Sequence, residues 1–253
     1  MTPPVTDASS PRRDFLTQLA AAGLATAGLT GCASAAGAAS FAGGSGGGAP
    51  ANVPGGRFDD SWTAKVRAAR HKAVFDGPEV QDGLPVFQAW LFRQGYREAL
   101  GAEEARAAVP VVVVRHAGTV LAMDDALWAK YKLGEMRKVN DPVTGKPAER
   151  NPIARPRADA PKPEGDVARI TAENGEPTIV SLIESGAVVL ACNLALNQMI
   201  NGIARRSNQK VEDVRAEVHA GLVPGVILQP SGVYAVLRAQ EAGAVYLRST
   251  NVA

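Results

Sequence analysis

Ala187-Val188-Val189-Leu190-Ala191-Cys192-Asn193-Leu194 is a continuous apolar run that ends at a cysteine and then turns helical. Its residues do not alternate between apolar and polar, which is the pattern of a strand buried on both faces of a parallel sheet. Working outward, Val109 to Val114 repeats the pattern and ends at Arg115-His116-Ala117-Gly118. Shorter strands are predicted over Lys72-Ala73-Val74-Phe75, stopped by Asp76-Gly77-Pro78, over Gly225-Val226-Ile227-Leu228, and over Val245-Tyr246-Leu247. Helical spacing fills the intervals. Val80, Leu84, Phe87 and Leu91 predict a helix ending near Gly95. Leu196, Ile200 and Ile203 predict one capped by Asn193, and Val211, Val214 and Val218 another. Val233, Val236, Leu237 and Gln240 predict one capped by Ser231. Asp59-Asp60-Ser61 starts a helix bearing Trp62, Val66 and Ala69, Asp124-Asp125 one bearing Leu127, Trp128 and Tyr131, and Ile179 to Glu184 forms a short one closed by Gly186. Strands alternating with helices give an α/β fold, a single three-layer domain with a mostly parallel five-stranded sheet and right-handed crossovers.

In such sheets ligands sit beyond the carboxyl ends of the strands. The groups that fall there are Asp76, His116, Cys192 with Asn193, and Ser231. With the first strand placed between the second and third, it separates His116 from Cys192 and lies so that Asp76 is beside Cys192. Asn193, Ser231 and Asp76 are first of all helix caps, although the amides behind such caps also suit an anion. Histidine at His116 is a side chain suited to steadying a thiolate or an anion. Arg115, Arg205 and Arg206 could attract an anion or simply be solvated, and Trp62, Trp90 and Trp128 read as core or oligomer contacts.

The N-terminus reads as an address. Arg12-Arg13-Asp14-Phe15-Leu16 heads a modest apolar run rich in Ala and Gly, and resembles a twin-arginine export signal. The run is too short and too rich in small residues for a membrane span. Leu29-Thr30-Gly31-Cys32 resembles a lipobox, whose cysteine is acylated, while Ala33-Ser34-Ala35 offers a competing ordinary cleavage site. The expected organisation is a signal over residues 1–35, a flexible linker rich in Gly, Ala and Ser over 36–57, and an α/β domain over 58–253. A proline-rich loop at about 134–177 interrupts that domain. At this length a loop is either functional or disordered. The protein is expected in the periplasm or beyond the cytoplasm, touching the membrane only through the signal or a lipid anchor at Cys32.

With 27 basic and 25 acidic residues the formal net charge is +2, too small a field to favour nucleic acid. Two cysteines occur, Cys32 and Cys192, so there is no disulfide framework, no CxxC pair and no expected metal or cofactor. No Gly-x-Ser-x-Gly elbow, P-loop or dinucleotide fingerprint is present. Acylation or cleavage at Cys32 leaves Cys192 as the one free thiol of the mature chain. A thiol just before a helix N-terminus feels the positive end of the helix dipole, which favours the nucleophilic thiolate. The same residue also fits a small buried hydrophobe.

Lys72 to Asp76, His116-Ala117-Gly118, Gly186 to Asn193, and Gly225 to Leu228 leading into Pro230-Ser231-Gly232-Val233 resemble the DsrE-like family, also called DsrEFH-like or YchN-like. The similarity runs from about Lys72 to Ser249 and is interrupted by the proline-rich loop, which has no counterpart in compact members. The resemblance implies a flavodoxin-like fold that forms homo-oligomers, often trimers or hexamers. It also implies sulfur handling, with the cysteine matched by Cys192 carrying a persulfide between a donor and an acceptor protein. The alternative is a non-catalytic oligomeric module that binds through the same crevice or the long loop. The export reading predicts that replacing Arg12 and Arg13 together by lysine holds the protein in the cytoplasm. Cell fractionation reads this out, and unchanged export of the double variant would refute it.

Overall fold

The computed structural model describes residues 58–250 except 81–82 and 161. Arg12, Arg13, Cys32 and the Gly-rich linker lie outside the described residues. The chain enters through helix α1 (Trp62–Ala68) and strand β1 (His71–Gly77), then α2 (Leu84–Leu100), α3 (Ala102–Arg106) and β2 (Ala108–Val114). A 3-10 stretch over His116–Ala122 leads to α4 (Asp125–Tyr131), α5 (Leu133–Arg137), α6 (Gly165–Asn174) and α7 (Ile179–Glu184). Strand β3 (Val188–Cys192), α8 (Asn193–Ser207), α9 (Val211–Ala220), β4 (Ile227–Gln229), α10 (Gly232–Glu241) and β5 (Val245–Arg248) complete it.

All five strands are parallel, in the order β4-β3-β2-β1-β5, with helices on both faces. The first four strands are laid down in one direction, so right-handed crossovers place their connecting helices on one face. The step from β4 to β5 runs back across the sheet, and α10 therefore joins α1 on the other face. Side-chain alternation divides the core accordingly. Phe75, Val112, Val114, Val189 and Ala191 face α2, α4 and α8, whereas Val74, Val111, Val113, Val188 and Leu190 face α1 and α10. This order corrects the arrangement expected at the sheet edge. Strand β2, and not β1, lies beside β3, so His116 follows the neighbour of the Cys192 strand while Asp76 is one strand further away.

Strand β2 is buried along its whole length, as its unbroken apolar run requires. Trp62, Trp90 and Trp128 are all core residues, as are Leu196, Ile200 and Ile203. Two helices turn differently from their predicted faces. In α2 the buried side is Val86, Ala89, Trp90 and Gln94, and the helix runs on past Gly95, with Phe87 and Leu91 outward. Phe87 stacks on Trp90 at a ring-centroid distance of 5.7 Å. In α10 the buried side is Ala235, Val236 and Ala239, with Val233 and Leu237 exposed.

The proline-rich segment is no featureless loop, since it holds two helices and is fastened to the domain. The buried Asn151 amide donates to the Leu121 and Met123 carbonyls at 2.8 and 2.7 Å, and its backbone N–H donates to Asp125 Oδ1 at 3.0 Å. Trp90 Nε1 donates to the Gly175 carbonyl at 3.0 Å. Within the segment, Arg157 donates to the Asp141 carboxylate at 2.7 Å, both side chains being largely buried. Arg157, together with the backbone N–H groups of Thr144 and Val143, holds the Asp141 carboxyl below the usual range, and burial opposes them. A carboxyl depressed in the folded state stabilises fully above its unfolded value, about pH 4, and loses that contribution as pH falls through the lower folded value. Asp141→Asn is therefore expected to be less stable than the parent in denaturant titrations at neutral pH, with the gap closing in strong acid. A gap that persisted unchanged into acid would contradict the pairing.

Candidate functional site

Three side chains that share one face of the sheet converge at its carboxyl edge. Asp76 lies two positions beyond Val74 on β1, and Arg115, one residue past the end of β2, lies two beyond Val113. Cys192 lies two beyond Leu190 on β3. Register pairs Val114 with Ala191, so the next step along both strands sets Arg115 opposite Cys192. Arg115 is not a solvated surface charge. Its Nε and a terminal nitrogen donate to the two oxygens of Asp76 at 2.6 and 2.8 Å, a bidentate clasp. Asp76 is 3% exposed and also accepts from the Tyr246 hydroxyl of β5 at 3.0 Å. Asp76 is thus a partner of Arg115 rather than a helix cap, and the cap position of α2 is taken by Gly83. The Asp76 hydrogen bonds raise the Arg115 pKa above its usual value. Burial opposes this, and the charges of Asp76, Tyr246 and Cys192 add to it. Burial first, then the bond to Asp76, raises the Tyr246 hydroxyl.

Cys192 is the residue that caps α8. Its sulfur accepts from the Ala195 N–H at 3.3 Å, the place expected for Asn193, which instead forms the first residue of the helix. A thiol is a weak acceptor in a position that favours Ser, Thr, Asp or Asn, and an anionic sulfur is a far stronger one. Cys192 is 5% exposed. Ser231 caps α10 as expected, accepting from the Tyr234 N–H at 3.1 Å. Behind it Gly232 lies on the Arg115 stem so closely that a Cβ there would collide with the arginine's Cβ, Cγ and Cδ. A glycine at this position lets α10 cover the guanidinium.

His116 goes elsewhere. It is exposed and takes a left-handed backbone angle, φ 48°, that turns the chain out of β2. Two residues on, Gly118 tucks under the Gly77 and Glu79 carbonyls, where a Cβ has no room. His116 thereby lines an open cleft of about 410 Å³ with Ala117, Met136, Arg137 and the Ala195, Gln198, Met199, Gly202, Arg206 face of α8. Ala195 belongs to both places, its N–H at the sulfur and its side in the cleft. The structure therefore sets Arg115 across from Cys192, places His116 in the adjoining cleft, and leaves Asn193 and Ser231 as helix-start residues. Sequence reasoning missed Arg137, Gln198 and Tyr246. The α8 residues carried a signal nonetheless, because positions 195, 198, 199, 202 and 206 fall on one helical face.

Fold and site define a parallel α/β domain with one described cysteine at a helix start, beside a clasped arginine and a cationic cleft. No protein-family model matches the chain, and no curated protein matches it. Removing the Asp76 carboxylate leaves a partly buried guanidinium without its partner, so Asp76→Ala is expected to cost about 3–5 kcal/mol. Tyr246→Phe, which deletes one hydrogen bond at a part-exposed ring, costs about 0.5–1.5 kcal/mol. Chemical denaturation checks the ranking, and equal losses for the two variants would contradict it.

Proposed function

We propose that the chain is an exported DsrE-like sulfur carrier, or sulfurtransferase-like protein, in which Cys192 holds a persulfide. The observation that carries this reading is the sulfur serving as the cap of α8, with the Ala195 N–H on it and Arg115 across from it. Both groups lie beside Sγ, and the thiolate is the form that attacks sulfur. With thiosulfate as donor, the Cys192 thiolate attacks the outer sulfur and a new S–S bond forms. The bond to the sulfonate sulfur breaks, and sulfite leaves with the electron pair. An acceptor protein's thiolate then takes the outer sulfur from the persulfide and regenerates the Cys192 thiolate, so one cysteine in this chain suffices. Low exposure of Cys192 favours small donors over a bulky one at the loading step.

That same burial supports a second reading, a non-catalytic oligomeric binding module in which the cysteine is a cap and the crevice or the proline-rich segment does the binding. Edge strand β5, with Val245, Tyr246 and Leu247 all exposed, supports self-association into a homo-oligomer under either reading. The carrier reading predicts that incubation with polysulfide or thiosulfate adds one sulfur atom to the peptide containing Cys192, reversible by dithiothreitol and absent in Cys192→Ala. Intact-mass and peptide mass spectrometry read this out. A Cys192 that gains no sulfur and resists alkylation in the native protein would leave the module standing and remove the carrier.

A further inference from the structure

The cleft beside Cys192 holds two guanidiniums that lack the carboxylate partners given to several arginines elsewhere in the fold. Arg115 is clasped by Asp76, Arg157 by Asp141 and Asp159, and Arg238 by Asp60 and Glu241. In the cleft, a terminal nitrogen of Arg137 donates to Met199 Sδ at 3.9 Å, and one of Arg206 to Met136 Sδ at 2.8 Å. Thioether sulfur is a weak acceptor. Neither arginine forms an ion pair among the described residues, and Arg137 Nε is closed off from solvent with no hydrogen-bond partner there. Burial, and then the charge of Arg206, lower the Arg137 pKa, while the charge of Glu79 acts in the opposite direction. Two like charges held together in a part-buried crevice repel, and an anion between them turns that cost into attraction.

We propose that this cleft binds a tetrahedral oxyanion carrying a small organic body, of which a phosphate monoester is the type. Arg137 and Arg206 take the oxygens, with exposed His116 and Gln198 as further hydrogen-bonding groups at the rim. Ala117, Met136, Ala195 and Met199 give the organic part an apolar wall. The volume of about 410 Å³ exceeds what a bare phosphate needs and falls in the range of small-molecule sites. Two guanidiniums match a dianion, and their fork geometry suits phosphate or sulfonate oxygens. Sulfur oxyanions share this chemistry and are told apart by the arms of the test. The assignment uses no reaction at Cys192, so it goes beyond the carrier reading and stands or falls separately from it.

Isothermal titration of the full chain with phenyl phosphate, benzenesulfonate, inorganic phosphate and phenol provides the test. Saturable binding of phenyl phosphate, tighter than inorganic phosphate and with phenol silent, is the expected result. Tighter binding of benzenesulfonate would keep the oxyanion site and assign it to the sulfur member of the class. Arg206→Ala, an exposed change at the end of α8 whose folding circular dichroism confirms, should weaken binding by at least about tenfold. Arg205→Ala, outside the cleft, should bind as the parent does, and Glu79→Gln should bind more tightly. Absence of anion binding, equal affinity for phenol, or an Arg206→Ala variant that binds like the parent would each overturn the proposal.

Discussion

The carboxyl edge of this sheet depends on the clasp between Asp76 and Arg115. Strand β2 is apolar on both faces up to Val114, and the next residue is a cation that must leave the core without losing a partner. Asp76, from the adjacent strand and on the same face, supplies that partner, and Tyr246 from β5 secures it from the other side. Once fixed, the guanidinium stands across from Cys192 and the stem of Arg115 forms the floor on which α10 begins, which is why a glycine follows the Ser231 cap. One ion pair thereby sets three features together: the end of the central strand, the seat of a helix, and a guanidinium beside the thiol.

Strand order gives this clasp its meaning. With β2 next to β3, the turn after β2 serves both sides of the edge. Arg115 lies toward the α10 face near Cys192, and His116, one residue later, lies in the cleft beside α8. Successive residues on opposite faces are the ordinary consequence of strand alternation, continued here by the left-handed backbone at His116. The first turn of α8 links the two, because the amide that bonds the Cys192 sulfur comes from a residue that also walls the cleft.

Much of the architecture is legible in the sequence because β2 and β3 are long apolar runs without alternation, and because Leu196, Ile200 and Ile203 repeat at helical spacing. Strand order is not legible in this way. Periodicity tells that a strand is buried but not which strand it pairs with, so the sequence alone sets Asp76 one strand too near Cys192. The α2 face is not legible because Phe87 and Leu91 have the right spacing yet point outward, Phe87 stacking on Trp90, while small Ala89 and polar Gln94 go inward. Asn193 was the natural cap by composition, and a cysteine sulfur in that role follows only from the backbone, which puts Cys192 and not Asn193 at the extended position before the helix. The Arg115 clasp joins residues from two separate strands and has no local signature, and Arg137 sits in a segment whose prolines conceal its short helices.

The proposed carrier role puts Arg115 next to the sulfur that would be loaded, and its contribution there can be measured. The most direct measurement is the rate of persulfide formation at Cys192, followed by quenched mass spectrometry with polysulfide in excess, in the parent and in Arg115→Met. The carrier proposal predicts a rate at least about tenfold slower in the variant, with Tyr246→Phe close to the parent. Equal rates in Arg115→Met and the parent, with circular dichroism showing both folded, would contradict it.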